Sequence, residues 1–221
     1  MKRYLLIVLV MVSSVALAQN YNFLNGPYGG GADKLIPVGS GRLLAFKSGA
    51  GLFKSDDAGA TWTKTGTTLS VYGMTDLFMD VSGKVYALYD GSLYSSADNG
   101  VTFTLLANTG FSSAARMGQG PSGNLFIASH FKVYRSTNAG VSWFERITLS
   151  GTNTGVTDFE FTSTGRMLIS TTGAGLFTTT AETDLTATNI TTAQGLPSIG
   201  VQSIVQNGAN IYVLTTTGPV K

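Results

Sequence analysis

The chain has 221 residues, no cysteine, a formal net charge of +2 and only 12% charged residues. These figures exclude a disulfide scaffold or thiolate metal site, and the lack of any basic run excludes the electrostatic footprint of a nucleic-acid binder. Abundant glycine, with aromatic and β-branched residues between, is the composition of many short strands joined by tight turns.

Residues 1–18 read as a secretory signal peptide. Lys2 and Arg3 give a short positive start, Tyr4 to Val12 an apolar run, and Ala16-Leu17-Ala18 the small-x-small cleavage pattern before Gln19. The run is shorter than the roughly 20 residues a spanning helix needs, so a membrane anchor is the weaker reading. No later segment is apolar enough to cross a bilayer, and no cysteine is present to carry a lipid. A cysteine-free exported chain suits a bacterial periplasm, cell surface or medium better than a eukaryotic secretory route. Removal of Lys2 and Arg3 leaves the mature chain, residues 19–221, near neutral.

One phrase then recurs along the mature chain. It reads Gly41-Arg42-Leu43-Leu44-Ala45-Phe46, Gly83-Lys84-Val85-Tyr86-Ala87-Leu88, Gly123-Asn124-Leu125-Phe126-Ile127-Ala128 and Gly165-Arg166-Met167-Leu168-Ile169-Ser170. A fifth copy, Ala209-Asn210-Ile211-Tyr212-Val213-Leu214, has Ala in place of the turn glycine. The steps are 42, 40, 42 and 44 residues. A period near 40 to 45 with about four strands per repeat predicts an all-β propeller of four-stranded antiparallel blades. The blades are expected at about 30–68, 69–109, 110–151 and 152–195, with a partial fifth at 196–221.

Four copies continue into a further strand, Gly51-Leu52-Phe53-Lys54, Ser92-Leu93-Tyr94-Ser95, Lys132-Val133-Tyr134-Arg135 and Gly175-Leu176-Phe177-Thr178. Three then carry a more specific turn: Ser55-Asp56-Asp57-Ala58-Gly59-Ala60-Thr61-Trp62, Ser96-Ala97-Asp98-Asn99-Gly100-Val101-Thr102-Phe103 and Ser136-Thr137-Asn138-Ala139-Gly140-Val141-Ser142-Trp143. Asp or Asn can bond the backbone of its own turn, glycine accepts positive φ, and the closing aromatic buries a large area between blades. The fourth equivalent, Thr179 to Asp184, has lost the pattern and is expected to form a looser turn.

These turns resemble the Asp-box, or BNR, repeat of bacterial sialidases and related propellers, across nearly the whole mature chain. In that family the box lies at the blade periphery, so the resemblance implies structural roles for Asp57, Asp98 and Asn138. The fifth copy stops at Gly218-Pro219-Val220-Lys221, where its third strand is due. Tyr21-Asn22-Phe23-Leu24-Asn25-Gly26 resembles the outer strands and could complete that blade and close the ring. A piece of a larger propeller is the equal alternative.

Sialidases of this superfamily carry a Tyr/Phe-Arg-Ile-Pro segment on the first blade. Here Lys34-Leu35-Ile36-Pro37 has Leu35 where the arginine belongs, and an apolar side chain cannot fork onto a carboxylate. The two further arginines and the Tyr/Glu pair that the resemblance demands find no convincing match among Arg116, Arg135, Arg146, Arg166 and Glu160. A two-carboxylate hydrolase would need acids roughly 5 to 10 Å apart across a cleft, and Asp76 and Asp158 are the candidates. They hold equivalent places, seven residues before the repeat turn. Around the ring that place reads Lys34, Asp76, Arg116, Asp158, Gln202. The alternating signs predict either ion pairs that neutralise the channel or a polar ligand site at its mouth.

No catalytic residue, metal ligand or cofactor is assigned. The lone His130 reads as a turn residue, and Gly26-Pro27-Tyr28-Gly29-Gly30-Gly31 lacks the Lys-Ser/Thr of a phosphate loop. The sequence therefore favours a non-enzymatic module binding an unknown protein or glycan, as photosystem assembly factors and the sortilin ectodomain do on this type of propeller. A carbohydrate-active hydrolase, or a fragment of one, is the alternative.

Overall fold

Each glycine-led apolar phrase becomes the second strand of an antiparallel sheet, buried on both faces, which is why it carries no polar alternation. The computed structural model describes residues 31–39, 41–67, 69, 72–111, 115–151 and 155–220. The proposed signal peptide and the Tyr21–Gly26 segment lie outside them.

Blade one comprises β1 (Lys34–Pro37), β2 (Leu43–Lys47), β3 (Gly51–Ser55) and β4 (Thr63–Lys64). Blade two comprises β5 (Met74–Met79), β6 (Val85–Tyr89), β7 (Ser92–Ser96) and β8 (Thr104–Asn108). Blade three comprises β9 (Ala115–Gln119), β10 (Leu125–Ser129), β11 (Lys132–Ser136) and β12 (Phe144–Thr148). Blade four comprises β13 (Val156–Phe161), β14 (Met167–Thr171), β15 (Leu176–Thr178) and β16 (Thr188–Ile190). Among the described residues blade five has three strands, β17 (Val201–Asn207), β18 (Asn210–Thr215) and β19 (Gly218–Val220). Every sheet runs in sequence order, giving a five-bladed β-propeller. Among the described residues helix is limited to one 3-10 turn, Thr192–Gln194, capped by a Thr191/Gln194 capping box.

Strand alternation stacks the blades. Val85 and Ala87 of β6 face blade one, packing with Leu44, Phe46 and Leu52, while Tyr86 and Leu88 face blade three, packing with Met117, Leu125 and Ile127. Phe126, Ala128 and Val133 meet Phe159, Met167 and Ile169 between blades three and four. Leu168 and Leu176 meet Val201, Ile204 and Val213 between blades four and five. Among the described residues no such cluster joins blade five to blade one. Val205, Tyr212 and Leu214 on the far side of blade five are 58%, 39% and 43% exposed.

The three box turns link third and outer strands in one hydrogen-bonded pattern. The Ser55 hydroxyl donates to Asp57 Oδ1 at 2.7 Å and accepts from the Gly59 amide at 2.8 Å. Asp57 accepts from the Thr61 amide at 2.8 Å and from its hydroxyl at 2.6 Å. Ser96, Asp98, Gly100 and Thr102 repeat these contacts. In the third turn Asn138 accepts from the Ser142 amide and donates to the Ser142 hydroxyl. Glycine is needed for more than φ: a Cβ on Gly100 would lie 2.1 Å from Leu44 Cδ1 of the preceding blade. The aromatics close the same seams, Phe103 against blade one and Trp143 against blade two.

The fourth turn corrects the expectation of a looser structure. Asp184 Oδ2 accepts from the Thr180 amide and hydroxyl, both at 2.8 Å, so a Thr/Asp pair of the same four-residue spacing but reversed order, offset by one residue from the box positions, closes this turn. Glu182, one residue before the place of the box glycine, is buried and accepts from the hydroxyl and amide of Ser122 in blade three. Blade two shows what this replaces. There Asp80 caps its own turn, accepting from the Ser82 amide and hydroxyl and the Lys84 amide. Blade three has Gly120 at that place, and a Cβ on it would lie 2.1 Å from Glu182 Oε2. The capping carboxylate is supplied by the neighbouring blade.

Candidate functional site

The innermost strands bring four of the five predicted ring residues together. Lys34 Nζ lies 2.7 Å from Asp76 Oδ1, and Asp76 Oδ2 accepts from the Met117 amide at 2.7 Å. Arg116 donates to the Thr75 carbonyl at 3.0 Å and to the Thr157 carbonyl at 2.9 Å. Asp158 Oδ2 accepts from the Ile204 amide at 2.9 Å and the Ser203 hydroxyl at 3.1 Å, while Oδ1 accepts from the Phe159 amide. Every one of these contacts but the last crosses from one blade to another. The pairing is thus less simple than alternating ion pairs: one salt bridge, one arginine on carbonyls, and two carboxylates on amides.

Local backbone makes this possible. The register of β5 shifts between Met74 and Asp76, and that of β13 between Val156 and Asp158. The extra residue of each bulge, Thr75 or Thr157, re-aims the following carboxylate towards the next blade.

Blade five departs from the predicted ring. The shift in β17 falls between Val201 and Ser203, so Ser203 stands opposite Leu214, just as Asp76 stands opposite Leu88 and Asp158 opposite Ser170. The ring equivalent is therefore Ser203; Gln202 is the exposed bulge residue. Counting back from the repeat turn fails here because blade five closes its hairpin between paired Asn207 and Asn210, a tighter turn than the one between Met79 and Val85.

Lys34, Asp76 and Arg116 plug the channel and leave a recess on each side. The first, about 430 Å³, is lined from blades one to four, by residues that include Leu35, Phe78, Met79, Gln119, Asp158, Glu160 and Phe161. The second, about 270 Å³, adds Asp33, Phe46, Met74 and Thr75. No β17 residue lines either recess, which leaves Gln202 outside both. Gln119 fixes the rim of the first by accepting from the Val81 amide at 2.8 Å and donating to the Gly123 carbonyl at 3.1 Å.

Glu160, weighed in the sequence only for the Tyr/Glu pair of a sialidase, lines the first recess. Desolvation pushes its carboxyl above the usual carboxylate range; Asp158 and Asp76 add to the rise and Lys34 opposes it. Its carboxylate has no hydrogen-bond partner among the described residues, and the residue is exposed at the recess, so the rise comes from the atoms crowded round it and not from enclosure. Its inner-strand position was the available signal. The arginines are scattered: Arg116 is in the plug, Arg166 bonds the Thr179 carbonyl and Thr178 hydroxyl, Arg146 bonds the Thr183 carbonyl, and Arg135 lies on β11. They form no carboxylate-binding triad.

No protein-family model matches the sequence, and no curated protein matches it. Solved β-propeller structures do resemble it. YCF48 bound to D1 peptide aligns with a TM-score of 0.62 at 16% identity, covering 86% of this chain and 63% of that one. An ancestral GH74 enzyme aligns with a TM-score of 0.66 at 18% identity, covering 86% and 28%. Virginiamycin B lyase from Staphylococcus aureus aligns with a TM-score of 0.64 at 14% identity, covering 84% and 68%. The chain thus spans less than two thirds of the first two. The class they define is the β-propeller, which hosts peptide-bound and enzymatic members alike.

Proposed function

We propose that this chain is an exported Asp-box propeller acting as a non-enzymatic module that binds protein or glycan at the first recess of its channel. One observation carries the reading: the two inner-strand carboxylates that could serve a two-carboxylate hydrolase are committed to neighbouring blades. Asp76 is held by Lys34 and the Met117 amide, and Asp158 by the Ile204 amide, the Ser203 hydroxyl and the Phe159 amide. A general acid or nucleophile must instead turn an oxygen to the scissile bond. The likeness to peptide-bound YCF48 supports a binding role, at the level of the fold. The likeness to a GH74 enzyme keeps a glycoside hydrolase as the alternative.

Export rests on the signal-like residues 1–18. No helix among the described residues is long and apolar enough to cross a membrane. The Asp-box identity rests on three turns with one shared set of hydrogen bonds.

The test exposes residues 19–221 to glycan and peptide arrays, beside hydrolysis assays on a fluorogenic sialoside and xyloglucan oligosaccharides. Binding without product is expected. Turnover that disappears in Asp158→Asn would establish the hydrolase instead.

A further inference from the structure

The first recess holds a charge imbalance. Lys34 and Arg116 bring two cations, against the three carboxylates of Asp76, Asp158 and Glu160. The first two carboxylates are engaged by donors of the protein, and Lys34 is already paired with Asp76. The uncompensated charge sits on Glu160, the one recess carboxylate with no hydrogen-bond partner among the described residues. Around it the wall is apolar: Leu35 is 54% exposed, and Phe78 and Phe161 are half-buried. Phe161 is fixed edge-on against Phe159, with ring centroids 5.2 Å apart. The volume of about 430 Å³ lies within the range of sites that enclose a small ligand group.

We propose that the first recess receives a basic side chain, arginine or lysine, from a peptide segment with apolar neighbours, and that Glu160 is its counter-ion. This deepens the binding-module reading and rests on it. An exposed carboxylate with no protein partner can accept both hydrogen bonds of a guanidinium fork, or those of an ammonium group. The phenyl faces offer that cation a second attraction, and Leu35 offers contact for a flanking apolar side chain. A neutral oligosaccharide offers the exposed Glu160 carboxylate no counter-charge. Because desolvation raises the Glu160 carboxyl above the usual carboxylate range, the site loses its charge, and its ligand, at a higher pH than a glutamate of ordinary pKa would.

The experiment titrates the mature chain with acetyl-Leu-Arg-Leu-amide, its citrulline counterpart, free arginine amide and a xyloglucan heptasaccharide, read by calorimetry. The arginine peptide should bind about tenfold or more tightly than the citrulline peptide, and more tightly than arginine amide, which lacks the apolar flanks. Glu160→Gln should remove that preference without lowering the melting temperature, since the side chain bonds nothing among the described residues. Leu35→Ser should weaken the peptide but not arginine amide. Equal binding of the two peptides, binding unchanged in Glu160→Gln, or no binding of either would overturn the proposal. Heptasaccharide binding indifferent to Glu160 would overturn it and keep the module reading, whereas heptasaccharide cleavage would overturn both.

Discussion

Ala58 and Ala139 carry left-handed φ values of 57° and 54°, as Asn99 does at the same place in the second box. An L-residue with a Cβ loses roughly 1 kcal/mol there, and Asn loses least of the side-chain-bearing residues. Ala58→Asn and Ala139→Asn should each therefore raise stability by about 0.5–1 kcal/mol in denaturant unfolding. The box carboxylates make a second prediction. Hydrogen bonds from Thr61 lower the Asp57 carboxyl from 3.8 to about 2, and those from Ser96 and Thr102 do the same for Asp98. A folded pKa below the unfolded one stabilises above about pH 4, and that contribution fades as pH falls towards 2. The double variant Asp57→Asn/Asp98→Asn should unfold with a shallower dependence on pH across that window. The natural Asn138 turn indicates that such a variant keeps its turns closed.

At the scale of strands and turns, the link between Gly120 and Glu182 couples blades three and four. Gly120→Ala places a Cβ into the Glu182 carboxylate and should cost about 1–3 kcal/mol by overpacking. Glu182→Ala strips the Ser122 amide and hydroxyl of their acceptor and should cost a similar ~1–3 kcal/mol. Because both act on one carboxylate, the double variant should be clearly less destabilised than the sum of the singles, as a double-mutant cycle in urea would read. This element marks where the sequence stops being legible. The Gly-turn-apolar phrase is local, so its strands could be read directly, and so could the Ser-x-Asp/Asn-x-Gly turn. Glu182 reaches Ser122 across sixty positions of sequence, and no periodicity announces an acid that has moved from one blade to serve another. The ring shows the same limit: Lys34, Asp76, Arg116 and Asp158 follow from the repeat, but the tighter blade-five hairpin hides Ser203 behind Gln202.

Across the whole molecule, four interblade cores are reinforced at the channel by side chains that reach the next blade. Asp76 is the most buried of these, 2% exposed and bonded to two blades. Its replacement by Ala should cost about 3 kcal/mol, because the Met117 amide loses its acceptor inside the fold and Lys34 loses its partner. Stacking of this kind also defines what the chain leaves uncovered. Val205, Tyr212 and Leu214 form an apolar face on blade five with no described neighbour, whereas the corresponding faces of the other blades are seams.

Asp76 and Asp158 each hold a backbone amide of the next blade and so clamp neighbouring blades together. Amide hydrogen exchange at Met117 and Ile204, measured by NMR in the wild type and in Asp76→Ala and Asp158→Ala, which remove the acceptor oxygens, tests it most directly. Strong protection of both amides is predicted in the wild type, with Met117 accelerated selectively by the first substitution and Ile204 by the second. Rapid exchange at both sites in the wild type, or protection indifferent to the substitutions, would contradict it.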